Sequence, residues 1–471
     1  MFKVRTILFA VLVVAALVTA GWVLGWVFSL DGTWGLYQWM PSYRSYFQIV
    51  GLLGILPLLV ALAAALVCRA SIRAGRIVAI LAVVLAIVGI VVPLGIAGYI
   101  LQTSLEMAGS TPPVLLIQDG SGANGVPNLA LVFRTDPASQ NTLHYGVDGL
   151  SQQVVEPQPA REHVLALCDL QPATRYQWRL NDGPVYSFLT PAIGPPDDVL
   201  YHFGASGDSH FGAATAQQPR VTQSVLGYVT RPERKFHAFF VLGDVTEMGM
   251  DNENWTFALD TLAPFSYAVP LRPFLGNHDG LINGAEHYFA YFYPPGMETQ
   301  QGTQRYYRID AESVHVIMLE MLWGIDTFTP QQKEWFIRQL ESIPSADWVI
   351  VMMHSMVYSS GIELEGIPWY DPADMVREVA PLLEKYQVDL VLSGHNHHLE
   401  FLQQNGVSYA VVGGLGGLFD PEAQYRSPAS RWYRGGTHGF VDVAVYPERL
   451  DLRFRAATGR ELQAFTIGQN K

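Results

Sequence analysis

The sequence contains little cysteine, with only Cys68 and Cys168 in 471 residues. The hydrophobic pattern described below places these two residues on opposite sides of a membrane, so they cannot pair with each other. The sequence therefore excludes a disulfide framework and a zinc site built from cysteines. A large segment outside the cytoplasm without disulfides is more typical of a bacterial envelope than of an animal secretory pathway.

Charge is also scarce, and basic residues are fewer than acidic ones. Charged residues make up 15% of the chain, and the formal net charge is −13. Residues 1–101 hold six Lys or Arg and one Asp, a net charge of +5, so residues 102–471 carry −18. A segment this acidic is a poor general binder of nucleic acid or of anionic lipid surfaces. We expect no nucleic-acid partner, whereas an anionic substrate held by local positive charge is compatible with this balance.

Three long uncharged runs contribute strongly to the hydrophobic content of 49%. They cover residues 7–30, 46–68 and 77–101. At ~1.5 Å per residue, each run is long enough to cross a hydrocarbon core of about 30 Å. We predict a transmembrane region at 1–101 with three spans. Three buried core helices are the alternative, but such helices are usually shorter and carry some polar residues.

Basic residues beside these runs orient the predicted spans. Arg69, Arg73 and Arg76 fill the short loop between the second and third runs. The positive-inside bias places this loop and the N-terminus in the cytoplasm, so everything from about residue 102 emerges outside. The prediction is a multi-pass protein of the cell membrane. The first run also has the pattern of a cleaved signal peptide, which gives the same placement of residues 102–471.

A predicted linker at 102–113 leads into an all-β region. Residues 114–192 show short alternating runs separated by turn residues, at the spacing of a β-sandwich. The stretch LCDLQPATRYQW, at 167–178, resembles the L-x-P-x-T-x-Y signature of fibronectin type III-like domains. This resemblance implies that the Tyr176 hydroxyl hydrogen-bonds back to the backbone. The stretch PAIGPPDD, at 191–198, marks a boundary.

Residues 197–467 alternate strands and helices, which predicts an α/β layered domain. Apolar runs indicate buried strands at 199–206, 236–243, 271–276, 314–320, 347–354 and 388–394. The final stretch, 439–467, returns to strand alternation and predicts a terminal hairpin.

Two helices in this region have predicted starts. Thr329 followed by Pro330 has the pattern of an N-cap and a first-turn proline, and Asp371 followed by Pro372 has the same pattern. The second helix is predicted to continue through ADMVREVAPLLEKY.

Five short polar stretches each follow a predicted strand. They are GDSH (207–210), GDVTE (243–247), GNHD (276–279), MMHS (352–355) and GHNH (394–397). Open α/β sheets place their sites at the carboxyl ends of strands, and glycine there permits tight turns and close approach. Carboxylate, amide and imidazole groups together suit Mn, Fe, Zn or a similar divalent ion. One such stretch alone is more often an ordinary turn, but five in order at strand ends predict a metal centre.

The order and wording of these stretches resemble the metallophosphoesterase superfamily, also called calcineurin-like phosphoesterases. Its pattern is D-x-H, G-D-x-x, G-N-H-D/E, a lone H and G-H-x-H, and all five parts occur here, so the resemblance covers roughly 199–467. It implies an α/β fold of four layers, α-β-β-α, with two sheets packed between helices. The sequence is most similar to purple acid phosphatases, which also carry a β-sandwich before the catalytic domain.

Carried over residue by residue, the resemblance implies a site for two divalent metal ions. The implied ligands are Asp208, His210 and His397 for the first ion, Asn277, His354 and His395 for the second, and Asp244 as the bridge. His278 is implied to be catalytic and not a ligand, because it faces the substrate phosphate and can stabilise charge or protonate the leaving oxygen. Two cations at such a site clamp phosphoryl oxygens and lower the pKa of a bridging water, whose hydroxide attacks phosphorus in line.

The sequence departs from the purple enzymes at Glu247. Those enzymes carry a tyrosine three residues after the bridging aspartate, and its phenolate binds ferric iron and gives the colour. Here that position is Glu247, and the first stretch is D-x-H where the purple enzymes usually have D-x-G. We expect His210 to replace the missing ligand, so a ferric state and a purple colour are not implied. We hypothesise that Glu247 orients His278, with a solvated loop glutamate as the alternative.

Asp279 and His398 are further candidates for residues that support the ligands. Alternation along an extended segment places His395 and His397 on one side and turns His398 the other way. This favours a supporting or structural role for His398, with substrate contact as the alternative. His438, in the stretch GGTHGF, is a candidate for lining the site.

The predicted function is hydrolysis of phosphate esters by a membrane-anchored, outward-facing enzyme with two metal ions. One alternative is a phosphodiesterase or a lipid-linked pyrophosphatase, because the anchor would hold the site near headgroups. Another is a non-catalytic sensor on the same scaffold. Loss of a ligand would favour the sensor, and every implied ligand is present.

Overall fold

The computed structural model describes residues 107–192, 199–214, 216–281, 284–297, 301–364 and 367–469, together with Val84. The chain divides into two compact units, 1–106 and 107–471, and the second is described below. Apart from Val84, the three predicted transmembrane spans lie outside the described residues. Within the part of the chain that the structure covers, no helix combines the length and the apolarity needed to cross a membrane.

The described residues form 22 strands and six α-helices. The strands are β1 Val114–Ile117, β2 Leu129–Ser139, β3 Thr142–Gly146, β4 Gln152–Val155, β5 Ala160–Leu167, β6 Arg175–Leu180, β7 Tyr186–Leu189, β8 Tyr201–Ser206, β9 Ala238–Val241, β10 Leu271–Pro273, β11 Tyr307–Ala311, β12 Val314–Met318, β13 Trp348–Met353, β14 Glu363–Leu364, β15 Ile367–Pro368, β16 Leu390–Ser393, β17 Leu399–Gln404, β18 Val407–Val412, β19 Ser430–Arg434, β20 Gly439–Val445, β21 Arg449–Ala456 and β22 Glu461–Gly468. The helices are α1 Arg220–Val229, α2 Asn252–Ser266, α3 Gly284–Phe292, α4 Pro330–Ser342, α5 Ala373–Glu378 and α6 Ala380–Lys385.

Two large sheets form the centre of this unit. The first has nine strands in the order β22-β21-β20-β8-β9-β10-β1-β2-β5, and the second has seven in the order β11-β12-β13-β16-β18-β17-β19. Strands β8, β9 and β10 are parallel neighbours, as are β12, β13, β16 and β18. Their residues are almost all buried, which explains the uninterrupted apolar runs in the sequence.

The predicted order of layers, α-β-β-α, is confirmed. Side chains from both large sheets form one continuous hydrophobic core, which includes Phe203 of β8 and Ile350 of β13. The other face of β13 belongs to a second core, in which Val351 packs with Phe336 of α4 and Leu383 of α6. Helices α1 and α2 lie on the nine-stranded sheet, where α2 contacts β1.

The predicted β-sandwich at 114–192 contains seven strands in two layers. Strands β4-β3-β6-β7 form a separate four-stranded sheet, whereas β1, β2 and β5 belong to the large nine-stranded sheet. The sequence pattern predicted a sandwich before the catalytic domain, and it did not anticipate that β1 pairs in parallel with β10. The predicted bond of Tyr176 is present, because its hydroxyl accepts the backbone N–H of Gln171 at 3.0 Å. The fibronectin type III-like assignment stays a prediction.

The two predicted helix starts have different outcomes. Helix α4 begins at Pro330, and the Thr329 side chain accepts the N–H of Gln332, as the sequence predicts. The second start is wrong, because Pro372 occupies the N-cap position of α5 and the Asp371 carboxylate accepts the backbone N–H of Ser359.

The second predicted helix is also interrupted. It divides into α5 and α6, with Pro381 in the first turn of α6. Proline cannot donate the backbone hydrogen bond that a continuous helix requires.

The C-terminal stretch adds more than the predicted hairpin. Strands β20, β21 and β22 form an antiparallel meander, and β20 continues it by pairing with β8. This pairing joins the end of the chain to the strand that precedes the first polar stretch.

Candidate metal centre

The five polar stretches meet at one edge of the two large sheets. Asp208 and His210 follow β8, Asp244 follows β9, and Asn277 and His278 follow β10. The second sheet contributes the rest from the ends of β13 and β16, namely His354, His395 and His397. The predicted residues come together because parallel strands in each sheet end at the same edge.

Asp208, His210 and His397 form the first group of possible ligands. Their ligand atoms lie within 4.8 Å of one another. The Nε2 atoms of His210 and His397 are 3.2 Å apart, and His397 Nε2 is 3.4 Å from Asp208 Oδ1. Two imidazole nitrogens that face each other beside a buried carboxylate can bind the same cation.

Asp244, His354 and His395 form the second group, and Asn277 lies between the two imidazoles. Asn277 Oδ1 is 2.8 Å from His354 Nε2 and 2.8 Å from His395 Nδ1. The two ring nitrogens are 3.2 Å apart. The amide oxygen and both imidazoles therefore converge on one position.

Asp244 lies between the two groups, where the bridging ligand is predicted. Its Oδ2 atom is 3.6 Å from His210 Nε2 and 3.4 Å from His354 Nε2. Its Oδ1 atom accepts the backbone N–H of His278 at 2.8 Å. One carboxylate therefore faces both groups and is anchored by the stretch that carries the predicted catalytic histidine.

Three of the histidines have their Nδ1 atoms occupied by an oxygen acceptor, so Nε2 faces the centre. The acceptors are the Glu247 carboxylate for His210, the Leu242 carbonyl for His354 and the Leu418 carbonyl for His397. Metal-binding histidines usually donate their other N–H to a carboxylate or a carbonyl in this way. This pattern fixes the tautomer of each ring and fits a metal position on the Nε2 side.

The backbone is strained at four of the predicted ligands. Asp208, His210, Asp244 and His395 have φ angles of 65°, 51°, 48° and 69°, in the left-handed region that residues other than glycine rarely adopt. Such conformations persist where the surrounding structure enforces them, and they cluster at functional sites.

Glycine allows the stretches to approach one another closely. A Cβ atom at Gly276 would lie 2.1 Å from the backbone nitrogen of Asp244, so a larger residue would push the GDVT and GNHD stretches apart.

Electrostatics also favour positive charge in the centre. Burial opposes protonation of His354, but the Asp244 carboxylate outweighs this effect and raises the pKa of His354 to about 9. Burial likewise opposes protonation of His397, but the Asp208 carboxylate raises its pKa to about 10. Burial lowers the pKa of His395 to about 3, which leaves a neutral ring with a lone pair. The buried carboxylates therefore attract cations, and bound metal ions would displace the protons.

These features fit two divalent cations. The donor atoms are carboxylate oxygens, one amide oxygen and imidazole nitrogens, a mixture that suits Mn, Fe or Zn. Each group brings its donors together before any ion binds, and Asp244 faces both.

Glu247 contacts both His210 and His278, and its carboxylate lies closer to His210 than to His278, which the sequence hypothesis expected it to orient. Its carboxylate Oε2 lies 2.8 Å from His210 Nδ1 and 3.7 Å from His278 Nδ1. The backbone carbonyl of Glu247 instead accepts His278 Nδ1–H at 2.8 Å. The sequence could not distinguish these contacts, because the fold brings both His210 and His278 close to Glu247. Only the side-chain geometry decides which imidazole the carboxylate contacts more closely.

Asp279 and His398 lie beside the centre and outside the groups of possible ligands. Asp279 accepts the backbone N–H groups of Val245, Thr246 and Gly276, so it ties two ligand-bearing stretches together. Burial raises the pKa of Asp279 to about 6, and Asp244 adds to this effect.

His398 is buried and belongs to a polar network away from the ligand atoms. Its Nε2 atom lies 3.2 Å from Glu400 Oε2 and 3.3 Å from the hydroxyl of Ser359. This contact pattern matches the supporting position predicted from alternation.

The stretch that follows β18 was not among the predicted parts of the site, although it supports His397. The Asp420 carboxylate accepts the backbone N–H of His397 at 2.6 Å, and the carbonyl of Leu418 holds the ring of the same histidine. The signal was the glycine-rich stretch GGLGGLFD at 413–420, directly after an apolar run. His438, predicted as a candidate lining residue, stacks on Phe419 with ring centroids 4.1 Å apart.

The comparisons with known proteins agree with this geometry. The family model for calcineurin-like phosphoesterases matches residues 201–399. Purple acid phosphatase 1 of Ipomoea batatas is 29% identical over 272 residues, which are 53% of this chain and 54% of the relative. The Fe(3+)-Zn(2+) purple acid phosphatase 12 of Arabidopsis thaliana is 26% identical over 63% of this chain and 64% of its own length. The chain thus spans between half and two thirds of these relatives.

A solved structure supports the fold. A purple acid phosphatase from yellow lupin (Lupinus luteus) seeds aligns with a TM-score of 0.61 and 17% identity, over 76% of this chain and 74% of that one. At this identity the likeness concerns the fold alone. Residues 201–399 thus match the model of calcineurin-like phosphoesterase domains, and over the aligned regions the chain resembles purple acid phosphatases.

Proposed function

We propose that this protein hydrolyses phosphate esters at a centre for two divalent metal ions. The observation that carries the proposal is the position of Asp244 between two groups of ligand atoms, each with a facing pair of imidazole nitrogens 3.2 Å apart. The matched relatives bear the names of acid phosphatases, which supports the same reaction class.

The two groups divide the proposed ligands as the resemblance implies. Asp208, His210 and His397 would hold one ion, and Asn277, His354 and His395 would hold the other, with Asp244 shared. Bound divalent cations supply positive charge for phosphoryl oxygens and lower the pKa of water. The chain itself keeps the seven donors in place through strained turns and second hydrogen bonds to the imidazole rings.

His278 is the proposed catalytic residue. Its backbone N–H binds Asp244 and its Nδ1–H binds the carbonyl of Glu247, so both the position and the tautomer of the ring are set. In our proposal Nε2 is the atom that stabilises the phosphoryl charge or moves the proton to the leaving oxygen.

We also propose that residues 1–101 anchor the enzyme in the cell membrane with residues 102–471 outside the cytoplasm. The support comes from the three uncharged runs and from Arg69, Arg73 and Arg76 between the second and third of them. Esters on the outer side would then be the substrates.

The proposed reaction can be tested by removing the metal ions and then adding them back. The full-length chain is treated with a chelator, reloaded with Mn, Fe or Zn, and assayed with phenyl phosphate, with diphenyl phosphate as a diester and with pyrophosphate. We expect loss of hydrolysis on chelation and recovery at two metal ions per chain. The preferred substrate identifies the phosphatase, diesterase or pyrophosphatase alternative. Two bound metal ions without hydrolysis of any of the three would support the sensor alternative and contradict the proposal.

A further inference from the structure

The centre opens to solvent on the side of His395 and His397. These two predicted ligands are only partly buried, whereas the other five are buried. A substrate whose phosphate lies at the two ligand groups can therefore extend its leaving group past this side. The residues around His395 and His397 are thus positioned to contact that group.

Two tryptophans lie against His395. The Trp369 ring stacks on the imidazole with centroids 5.0 Å apart and an interplanar angle of 23°. Trp323 meets the same imidazole edge to face, with centroids 5.5 Å apart. Both tryptophans are partly buried, so part of each side chain is accessible to solvent.

Two further apolar residues lie beside His397. Leu418 is 55% exposed and Phe419 is 37% exposed. Leu418 holds the His397 ring through its backbone carbonyl, so its side chain is not needed for that bond. Single exposed apolar residues are common on protein surfaces, but these two are adjacent and include the residue whose carbonyl holds His397.

We propose that Trp323, Trp369, Leu418 and Phe419 form an apolar rim that binds the leaving group, so that the preferred substrates are phosphate esters of apolar alcohols. This inference rests on the proposed function, because it assigns the substrate class of the same site. Each methylene that becomes fully buried strengthens binding roughly fourfold. A rim that covers only part of a six-carbon chain should therefore favour it about tenfold over a two-carbon chain.

Two alkyl esters of equal chemical reactivity provide the test. Hexyl phosphate and ethyl phosphate differ by four methylenes, and their leaving alcohols are chemically alike. We expect the full-length, metal-loaded protein to show a kcat/KM about tenfold higher for the hexyl ester. The affinities of hexylphosphonate and ethylphosphonate, measured by calorimetry, should differ in the same direction without any turnover.

Leu418→Ser tests the rim directly, because it removes an exposed apolar side chain and leaves the backbone carbonyl at His397. We expect the hexyl-to-ethyl ratio of kcat/KM to fall at least about threefold. The matched control is Val155→Ser, since Val155 is 49% exposed and lies on the separate four-stranded sheet. The control should leave the ratio and both rates unchanged.

The possible failures can be distinguished. If neither these two esters nor phenyl phosphate, diphenyl phosphate or pyrophosphate is hydrolysed with any of the three metals, the proposed function is wrong and this inference falls with it. If esters are hydrolysed but Leu418→Ser and Val155→Ser behave alike both with these soluble esters and with the phosphatidate vesicles described below, the apolar rim is wrong and the proposed function stands.

An apolar phosphate ester can come from free solution or from a lipid surface. A second assay, which distinguishes these two sources, measures hydrolysis of dioleoyl phosphatidate in vesicles of dioleoyl phosphatidylcholine. A loss of rate in Leu418→Ser with free hexyl phosphate supports soluble esters, and a loss confined to the vesicles supports lipid headgroups. Equal rates of wild type and variant in both assays would overturn the inference.

Discussion

His210 Nδ1 and Glu247 Oε2 lie 2.8 Å apart, at the position where the purple enzymes carry a tyrosine. Glu247 thus accepts a hydrogen bond from the His210 imidazole, whereas a tyrosine at this position would bind the metal itself. Burial raises the pKa of Glu247, but the hydrogen bond from His210 and the charges of His278 and His210 together outweigh burial, so the net shift is downward and the carboxylate is ionised at neutral pH. A charged acceptor makes the imidazole a stronger ligand through its other nitrogen.

Glu247→Gln should therefore weaken metal binding at the group formed by Asp208, His210 and His397. The glutamine keeps an oxygen near Nδ1 but loses the negative charge, and such changes typically cost 10–100-fold in metal affinity. Titration of the metal-free protein with Mn or Zn measures this loss, and activity should return at higher metal concentration. Glu253→Gln, at an exposed glutamate of α2, is the control. Unchanged metal affinity with slower turnover would indicate that Glu247 acts through His278 after all.

His278→Ala and His354→Ala should separate turnover from metal binding. We expect His278→Ala to retain two metal ions and to lower kcat by about 10²–10⁴-fold, as is usual for loss of a general acid or base. His354→Ala removes a donor of the second group and should lose one metal ion. Metal content per chain, measured by mass spectrometry beside kcat, distinguishes the two variants. Equal loss of metal in both would contradict the role assigned to His278.

Stability should decrease as the pH is lowered because of His237, a buried residue directly before β9 that is not one of the predicted ligands. Burial lowers the pKa of His237 to about 3, and its Nδ1 accepts the backbone N–H of His202 at 3.1 Å. The unfolded chain protonates this residue near pH 6.5, so unfolding takes up a proton between about pH 6.5 and 3. The contribution is fully present above that range and is lost as pH falls through it.

The size of this effect at pH 5 is about 2 kcal/mol relative to pH 7. His237→Asn keeps an acceptor for His202 but cannot be protonated, so it should show a smaller loss of unfolding free energy between pH 7 and pH 5. Urea denaturation at both pH values measures the difference, and the contributions of all other groups cancel between variant and wild type. Identical pH dependence of the two proteins would refute the assignment.

The proposed topology can be tested with a natural reporter. Cys168 is exposed on the described unit, so a membrane-impermeant thiol reagent should label it in intact cells or spheroplasts. Cys168→Ser is the control that removes this signal. In that background, Ala74→Cys in the arginine-rich loop should react only after lysis. Labelling of Ala74→Cys in intact cells, together with no labelling of Cys168 in the wild-type protein, would reverse the orientation.

Much of the framework could be predicted because it depends on local pattern. The apolar runs that form β8, β9, β10, β13 and β16 are short, and all but the run of β13 are followed by a glycine, so both their type and their ends are visible in the sequence. The positions of the seven predicted ligands follow from those ends. The apolar rim was not predictable, because Trp323 and Trp369 lie in irregular segments distant in sequence from Leu418.

Contacts between distant segments also could not be predicted from the sequence pattern. The partner of Glu247 depends on side-chain rotamers, and the interruption between α5 and α6 depends on how the chain accommodates Pro381. The pairing of β1 with β10 joins residues more than a hundred positions apart, with Leu116 opposite Leu271. No periodicity within either strand specifies its neighbour.

That pairing makes the N-terminal strands part of the framework that positions the site. Arg272, buried in β10, donates to the carbonyl of Ile117 in β1 at 3.0 Å, and the GNHD stretch begins three residues after β10 ends. A chain shortened to begin at residue 197 would turn β10 into an edge strand and leave the buried guanidinium without that acceptor. Exposed edges of this kind recruit strands from other molecules. The β-rich region is therefore part of the same folded unit as the candidate metal centre, and we expect its removal to cause aggregation.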